Sequence, residues 1–471
     1  MVGIVSFGAY IPIHRLEHDK IAGAWGLASM KGEKAVANYD EDSLTMGVEA
    51  AIDCINGLDR DSIDGVCFAS TTAPYAERQS ASTIVAALDF SKELLTADFA
   101  NSVRASTSAI RSAVDAINGG SAKKVIVIAS DMLVPAPQSE NEQLFGNGVA
   151  AILLGESDVA VEIQGFCTTS SEFTDRWRLS GEQYYCSWED RFVQVTIIEE
   201  AIERILQQLA QKYSLKPEDF SKVILNAPNP RRHRELARKM NLDGNQVQDS
   251  LLTTMGNTGT AHTLMMLVAA LEEAKAGDKL LLLNYGDGCD AYILQVTPGI
   301  EKLRNKRAIK RHLASKMMLP TYEKYFVFRD LMDWGHDPRP SLGSSLTVTW
   351  RDRDQIFALY GAKCKHCGEV QYPVPRVCAY CQTKDQFERL RLSDKRGTLF
   401  TFSVDERAQV PDPPTVASVV DLDIGGRLVL QMTDRDVAKV DVGMPVEMTF
   451  RNMHEGSGFH NYFWKCRPIR C

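Results

Sequence analysis

Four cysteines in "CKHCGEVQYPVPRVCAYC" have the spacing of a metal site. Cys364 and Cys367 form one CxxC pair, Cys378 and Cys381 a second, with ten residues between the pairs. Two such knuckles on tight turns direct four thiolates at one tetrahedral zinc; four ligands leave no open position, so the metal is expected to be structural. A redox CxxC would need only one pair. A second stretch, "ADFANSVRASTSAI" (97–110), reads as a buried strand running into the first turn of a helix. Turns of this kind can present a nucleophile, and the residue at that point is Val103. Ser102 and Ser106 have no adjacent base and read as capping or packing groups. Tyr184, Tyr185 and His262 could move protons, and each could equally be a packed aromatic or a hydrogen-bonded core histidine. Arg231, Arg232 and Arg234 are a basic cluster that suits either phosphate contact or a solvated turn.

These groups need elements to hold them, and the chain supplies those twice. "IDGVCFASTTAP" (63–74) precedes "DFANSVRASTSAIRSAVDAINGGSAKKVIVIASD" (98–131), while "FSKVILNAPNP" (220–230) precedes "LLTTMGNTGTAHTLMMLVAALEEAKAGDKLLLLNYGD" (251–287). Each copy runs apolar strand, polar loop, small-residue helix start, long helix, lysine turn, second buried strand. Short runs such as "VIVIAS" and "LLLLNY" suit strands buried on both faces. Small residues in "ASTSA" and "TGTA" let two helices pack closely at a central layer. The order and spacing predict a duplicated α/β fold.

The duplication resembles the thiolase fold, and within it the archaeal type of 3-hydroxy-3-methylglutaryl-CoA synthase, with ketoacyl-carrier-protein synthase III as a more distant relative. The resemblance covers residues 1–330 and rests on "GNTGTAH" (256–262), "NAPNPRRHRELARK" (226–239), "FTDRWRLSGEQYY" (173–185), "NYGDGCDAY" (284–292) and "YEKYFVFR" (322–329), in family order. It implies that the family's cysteine position is Val103, its glutamate position Thr71 and its histidine position Asn226. Only the asparagine of "GNT", Asn257, matches. It also implies an acyl pocket bordered by Tyr184 and Tyr185, a CoA channel reaching Val103 with Arg231, Arg232 and Arg234 towards the phosphates, and a homodimer joined through "LTADFANS". Cys289, in a glycine-rich loop and without an activating partner, is expected to be inert.

Downstream of the cysteine knuckles, "RGTLFTFSVDERA", "TVASVVDLDIGGRLVLQMTD", "VGMPVEMTFR" and "NYFWKCRPI" read as short strands between turns, closing as a five-stranded OB-type barrel. A zinc ribbon followed by such a barrel resembles the separate subunits that accompany thiolases and acyl-CoA aldolases. The expected architecture is therefore a layered αβαβα thiolase fold, its halves at 1–165 and 166–345, then a zinc ribbon at 346–390 and an OB barrel at 391–471.

The 471 residues carry a net charge of −8, with 44% hydrophobic and 24% charged residues. That balance suits a globular chain and argues against general nucleic-acid binding. No signal-peptide pattern or transmembrane run is seen, and eleven scattered cysteines point to a reducing, cytoplasmic setting. Two functions follow from the resemblance. One is a CoA-thioester enzyme of aldol, retro-aldol or Claisen type that forms no acyl-cysteine. The other is a non-catalytic CoA-binding scaffold that partners an intact thiolase.

Overall fold

Nine strands form one sheet, and alternation along each strand decides what lies on its two faces. The computed structural model describes residues 1–189, 192–332 and 343–470; the 333–342 part of the second half's expected tail lies outside them. The strands are β1 (Gly3–Tyr10), β2 (Gly65–Ala69), β3 (Leu95–Phe99), β4 (Lys124–Asp131), β5 (Gly148–Gly155), β6 (Val161–Ser170), β7 (Lys222–Leu225), β8 (Lys279–Tyr285) and β9 (Gly288–Val296), in the spatial order β7-β8-β9-β6-β1-β5-β4-β2-β3. β2 and β4 are parallel, as are β7 and β8; β4/β5 and β8/β9 are antiparallel, and so are β5/β1 and β9/β6. The two halves therefore repeat one topology, as the duplicated sequence predicts. They meet at β1 and β6 through a short antiparallel pairing, Gly3 with Glu162 and Ile4 with Val161. Among the described residues the second half has only an isolated parallel bridge, Val223 to Val247, where the first has β3.

The helices are α1 (Ser43–Ile55), α2 (Ser80–Leu88), α3 (Ala105–Asn118), α4 (Ile198–Tyr213), α5 (Pro230–Lys239) and α6 (His262–Glu273). Val125, Val127 and Ala129 of β4 and Leu280 and Leu282 of β8 face one central core, built around α3 and α6. The alternate residues face outward: Ile126 and Ile128 pack towards α1 and α2, and Leu281 and Leu283 towards α4. The result is the αβαβα layering of a duplicated thiolase fold. In the central layer Ala105, Ala109 and Ala113 of α3 are all buried, and these small side chains let the backbones approach.

The C-terminal module comprises a three-stranded antiparallel ribbon (Tyr360–Cys364, Val370–Gln371, Phe387–Arg391) and a closed five-stranded barrel. Barrel strands Arg396–Asp405, Thr415–Leu422 and Arg427–Met432 form a meander; Phe459–Pro468 then lies beside Arg427–Met432, parallel at Met432–Cys466, and Pro445–Gly456 closes the ring. Its core residues Leu399, Val420 and Trp464 merge with the outer core over α1, so the barrel sits on the first half. The segment 302–316, rich in lysine and arginine, is tied to the rest of the chain by ion pairs. Arg307 pairs with Glu447 of the barrel at 2.5 Å, Lys302 with Asp158 at 2.9 Å and Lys316 with Glu33 at 2.7 Å. Among the described residues no helix is long and apolar enough to cross a membrane.

Candidate functional site

The turn between β3 and α3 forms one wall of a cavity of about 480 Å³, and Val103 lines it. Asn101 takes a left-handed φ of 70°, which swings the chain into the helix. The Ser102 hydroxyl accepts from the Arg104 N–H at 3.2 Å and so caps the turn, while Ser106 is fully buried. Opposite stands Gly286 from the loop between β8 and β9; a β-carbon there would lie 2.6 Å from a Val103 methyl. The second half thus brings a glycine against the Val103 side chain. Thr71, Tyr75, Asp175, Arg176, Arg178 and Tyr185 contribute to the polar part of the wall, with Asp287 and Tyr285 beside Gly286.

A smaller cavity of about 60 Å³ lies alongside, lined by Asn257, Asn229, Pro228 and Phe145, and it shares Arg176 and Tyr185 with the first. Tyr185 is therefore the phenol common to the Val103 and Asn257 sides. Its ring packs edge-on to Phe145, with centroids 6.0 Å apart, and its hydroxyl lies 3.2 Å from Thr71 Oγ1. Burial, and secondarily the Asp131 carboxylate, push its pKa up, so the phenol stays protonated at neutral pH. Asn257 is buried, and its Oδ1 accepts from the Gly259 N–H at 2.9 Å. That bond fixes the amide and leaves its NH2 as the donor for the cavity.

The other sequence candidates fall elsewhere. His262 is completely buried at the start of α6; burial lowers its pKa to about 4, and it lines neither cavity. Tyr184 is half-buried and lines neither. Asn226 donates to Asn284 Oδ1 at 3.4 Å, joining a string that continues from Asn284 to Thr107 (3.2 Å) and from Thr107 to Asp290 (2.7 Å). Thr263 of α6 also donates to Asn284 Oδ1 at 2.8 Å, so the string links the starts of α3 and α6. Arg232 is buried in ion pairs with Glu199 and Glu235, while Arg231 and Arg234 are exposed on α5, away from the cavity walls. Cys289 is fully buried and its thiol pKa is pushed far up by burial, which makes it unreactive.

Sequence reasoning overlooked Asp131. It ends β4, is fully buried, and its carboxylate accepts from Thr71 N (2.7 Å), Thr71 Oγ1 (3.0 Å), Ser70 Oγ (3.1 Å) and Thr260 N (2.7 Å). The signal was present: a carboxylate closing the apolar run "VIVIASD" needs partners to be buried at all. Arg176 and Arg178, inside the quoted "DRWR", were also passed over as cavity cations.

In the ribbon, the sulfurs of Cys364 and Cys381, and of Cys367 and Cys378, lie 3.6 Å apart, and all four lie within 4.8 Å of one another. Thiolates on a tetrahedral zinc are separated by about 3.8 Å, given a Zn–S distance of about 2.3 Å. Gly368 and Gln382, both at positive φ, turn the two knuckles, and the Cys364 and Cys378 N–H groups donate to Glu369 and Thr383 carbonyls at 2.9 and 3.0 Å. The four residues fit zinc as a closed structural site.

Layering, duplicated topology and a cavity at the paired helix starts define a protein of the thiolase superfamily. Residues 193–296 match the C-terminal model of 3-oxoacyl-[acyl-carrier-protein] synthase III, residues 353–388 the ChsH2 rubredoxin-like zinc ribbon, and residues 391–451 the ChsH2 C-terminal OB-fold domain. The hydroxymethylglutaryl-CoA synthase of Methanopyrus kandleri is 31% identical over 336 residues, covering 69% of this chain and 96% of that protein. That of Pyrococcus horikoshii is 30% identical over 341 residues, covering 71% and 94%. Among solved structures, an HMG-CoA synthase complexed with CoA superposes with a TM-score of 0.65 at 16% identity, covering 73% of this chain and 94% of that one. The 3-oxoacyl-[acyl-carrier-protein] synthase III of Aquifex aeolicus gives 0.55 at 23% identity, covering 63% and 100%. The chain belongs to the hydroxymethylglutaryl-CoA synthase family, with a zinc ribbon and OB-type barrel joined to its C-terminus.

Proposed function

We propose that the chain makes or breaks a C–C bond next to a CoA thioester without forming an acyl-enzyme, by aldol, retro-aldol or Claisen-type chemistry. The observation that carries this reading is Val103. It stands at the helix start, facing the cavity and pressed by Gly286, where it can be neither acylated nor charged. Enolate chemistry needs an oxyanion donor and an acid/base group rather than a nucleophile. The Asn257 amide supplies the first and the Tyr185 phenol the second. CoA as the carrier is supported by the solved relatives that hold CoA or 3-hydroxy-3-methylglutaryl-CoA. Of the arginines, Arg176 and Arg178 are on the cavity wall and Arg231, Arg232 and Arg234 are not, so the pair in "DRWR" is the better placed for an anionic ligand. Zinc in the ribbon is structural. The ten described cysteines are all free, which suits the reducing cytoplasm.

The test is incubation of the purified protein with acyl-CoA and 3-hydroxyacyl-CoA panels. Product formation is expected with no mass increment on any residue; a stoichiometric acyl adduct overturns the mechanism. A second reading, a CoA-binding scaffold for an intact thiolase, is favoured by Asn226, whose carboxamide has no acid/base function and donates to Asn284 Oδ1 at 3.4 Å. Turnover appearing only when a thiolase is added, and surviving Tyr185→Phe in this chain, would establish the scaffold instead.

A further inference from the structure

The hydrogen bonds around Asp131 have only one consistent set of directions. An ionised carboxylate only accepts, and Thr71 has a single hydroxyl proton. Thr71 Oγ1 donates that proton to Asp131 Oδ2 at 3.0 Å. The 3.2 Å contact between Thr71 Oγ1 and the Tyr185 hydroxyl must then run the other way, with the phenol as donor. This leaves the lone pairs of the Tyr185 oxygen for whatever occupies the cavity it walls.

The surroundings hold this arrangement rigidly. Asp131 also accepts from the Thr71 and Thr260 N–H groups, both at 2.7 Å, so both halves of the fold clamp it. Gly259 sits so close that a β-carbon there would lie 2.4 Å from Asp131 Oδ2. The Thr71 carbonyl is fixed in turn by Arg178 Nη2 at 2.9 Å. Thr71 thus has its backbone N–H, carbonyl and hydroxyl all committed, and its one free acceptor direction points to Tyr185.

We propose that Tyr185, Thr71 and Asp131 form a proton relay, in which Asp131 is the buried proton store, Thr71 the bridge and Tyr185 the group that meets the substrate. The relay deepens the C–C bond reading and its turnover arm rests on it. In the cleavage direction a substrate β-hydroxyl gives its proton to the Tyr185 oxygen, the Tyr185 proton passes to Thr71 Oγ1, and the Thr71 proton passes to Asp131 Oδ2. The oxygen's electron pair becomes the new carbonyl, the Cα–Cβ bond breaks, and its pair is held as the thioester enolate. Running the same three transfers backwards delivers one proton to Cα and restores the starting state. No other reactant is needed.

The test follows the ¹³C resonance of the Tyr185 phenolic carbon in tyrosine-labelled protein, assigned by its loss in Tyr185→Phe. Asp131→Asn is expected to move this resonance in the parent and to have no further effect once Thr71→Val is present. An equal displacement in both backgrounds means the two groups feel each other only through space, and overturns the relay. If Asp131→Asn does not fold, the comparison is Thr71→Val against Thr71→Ser. The valine variant should displace the resonance and the serine variant, which keeps the hydroxyl, should not; an unmoved resonance in Thr71→Val overturns the proposal. In turnover, Thr71→Val should lower kcat by roughly 10²-fold with acyl-CoA affinity retained, and Thr71→Ser should restore most of it. Absence of turnover in the parent refutes the C–C bond reading alone, because the resonance still decides the relay.

Discussion

Asn257 shows how little freedom a useful amide has. Its main chain is locked to the Leu144 and Gly146 backbone and its Oδ1 to Gly259, so the NH2 group cannot exchange roles with the oxygen. Such a fixed donor acts on charge that develops during reaction, without reorganisation when it does. Replacing it by alanine should lower kcat by 10²–10³, about 3 kcal/mol of barrier, while acyl-CoA binding by calorimetry changes little. A fall in affinity with unchanged kcat would show instead that Asn257 only helps to hold the ligand. At this scale the sequence was half readable. Asn257 was named through the family match in "GNTGTAH", and Tyr185, together with Tyr184, through its place at the end of the "FTDRWRLSGEQYY" match, so resemblance rather than a local pattern pointed to them. Asp131 and His262 could not be sorted, since only the three-dimensional partners separate a clamped carboxylate at a cavity from a neutral histidine under a helix.

Elements were easier to read, because strand and helix periods are written in consecutive residues. The buried runs "VIVIAS" and "LLLLNY" became β4 and β8, apolar on both faces as a central sheet requires. Pairing across the fold, such as β1 against β6, depends on contacts far apart in sequence and was not visible. Two predictions belong here. The ribbon is three short strands whose knuckles converge on four sulfurs, too small to stand without its metal. Protein purified without chelator should hold one zinc per chain by elemental analysis, and Cys378→Ser should unfold the ribbon; less than about half a zinc contradicts the assignment. The second concerns β3, the terminal strand of the sheet, which among the described residues pairs with β2 alone and exposes Leu95. An open apolar edge invites a second copy. Light scattering at micromolar concentration should give a dimer mass, and Thr96→Pro, which removes an edge donor, should return monomer. A monomeric parent rules this interface out.

Across the whole molecule, the barrel is fastened to the synthase-like half by buried charge. Arg451 of the barrel, fully buried, meets Asp40 at 3.2 Å, Glu41 at 2.7 Å and Asp434 at 2.6 Å. Lys465 reaches Asp40 at 2.8 Å, and Arg467 reaches Glu49 at 2.6 Å and Glu447 at 3.0 Å. Burial alone would raise the Asp40 carboxyl, but Lys465 and Arg451 outweigh it and hold it below the usual range; the arginines do the same for Asp434 and Glu447. Carboxylates depressed in this way stabilise the fold above their unfolded pKa, and that contribution disappears as pH falls through the folded value. Burial also keeps His14 neutral down to about pH 4 and holds His312 well below its ordinary value, so below about 6.5 the unfolded chain gains protons that the folded one refuses. Glu41, Asp42 and Glu272, raised by burial and the last of them to about 7, work in the opposite sense. On balance, stability should decline as pH falls below about 6.5 and fall steeply below about 4.5. Removing one member at neutral pH leaves the others buried and unpaired. Arg451→Ala should therefore cost about 3–5 kcal/mol and split the single denaturation transition into two, the barrel first. The acid limb should shrink with it, because Asp434 loses its largest cationic partner and Asp40 its second after Lys465, and both carboxyls rise towards ordinary values. Arg451→Met, which fills the space, restores nothing to the carboxylates and should behave like alanine in its pH profile. One unchanged transition and an unchanged acid limb in Arg451→Ala would mean that apolar packing of Leu399, Val420 and Trp464 over α1 is what holds the module in place.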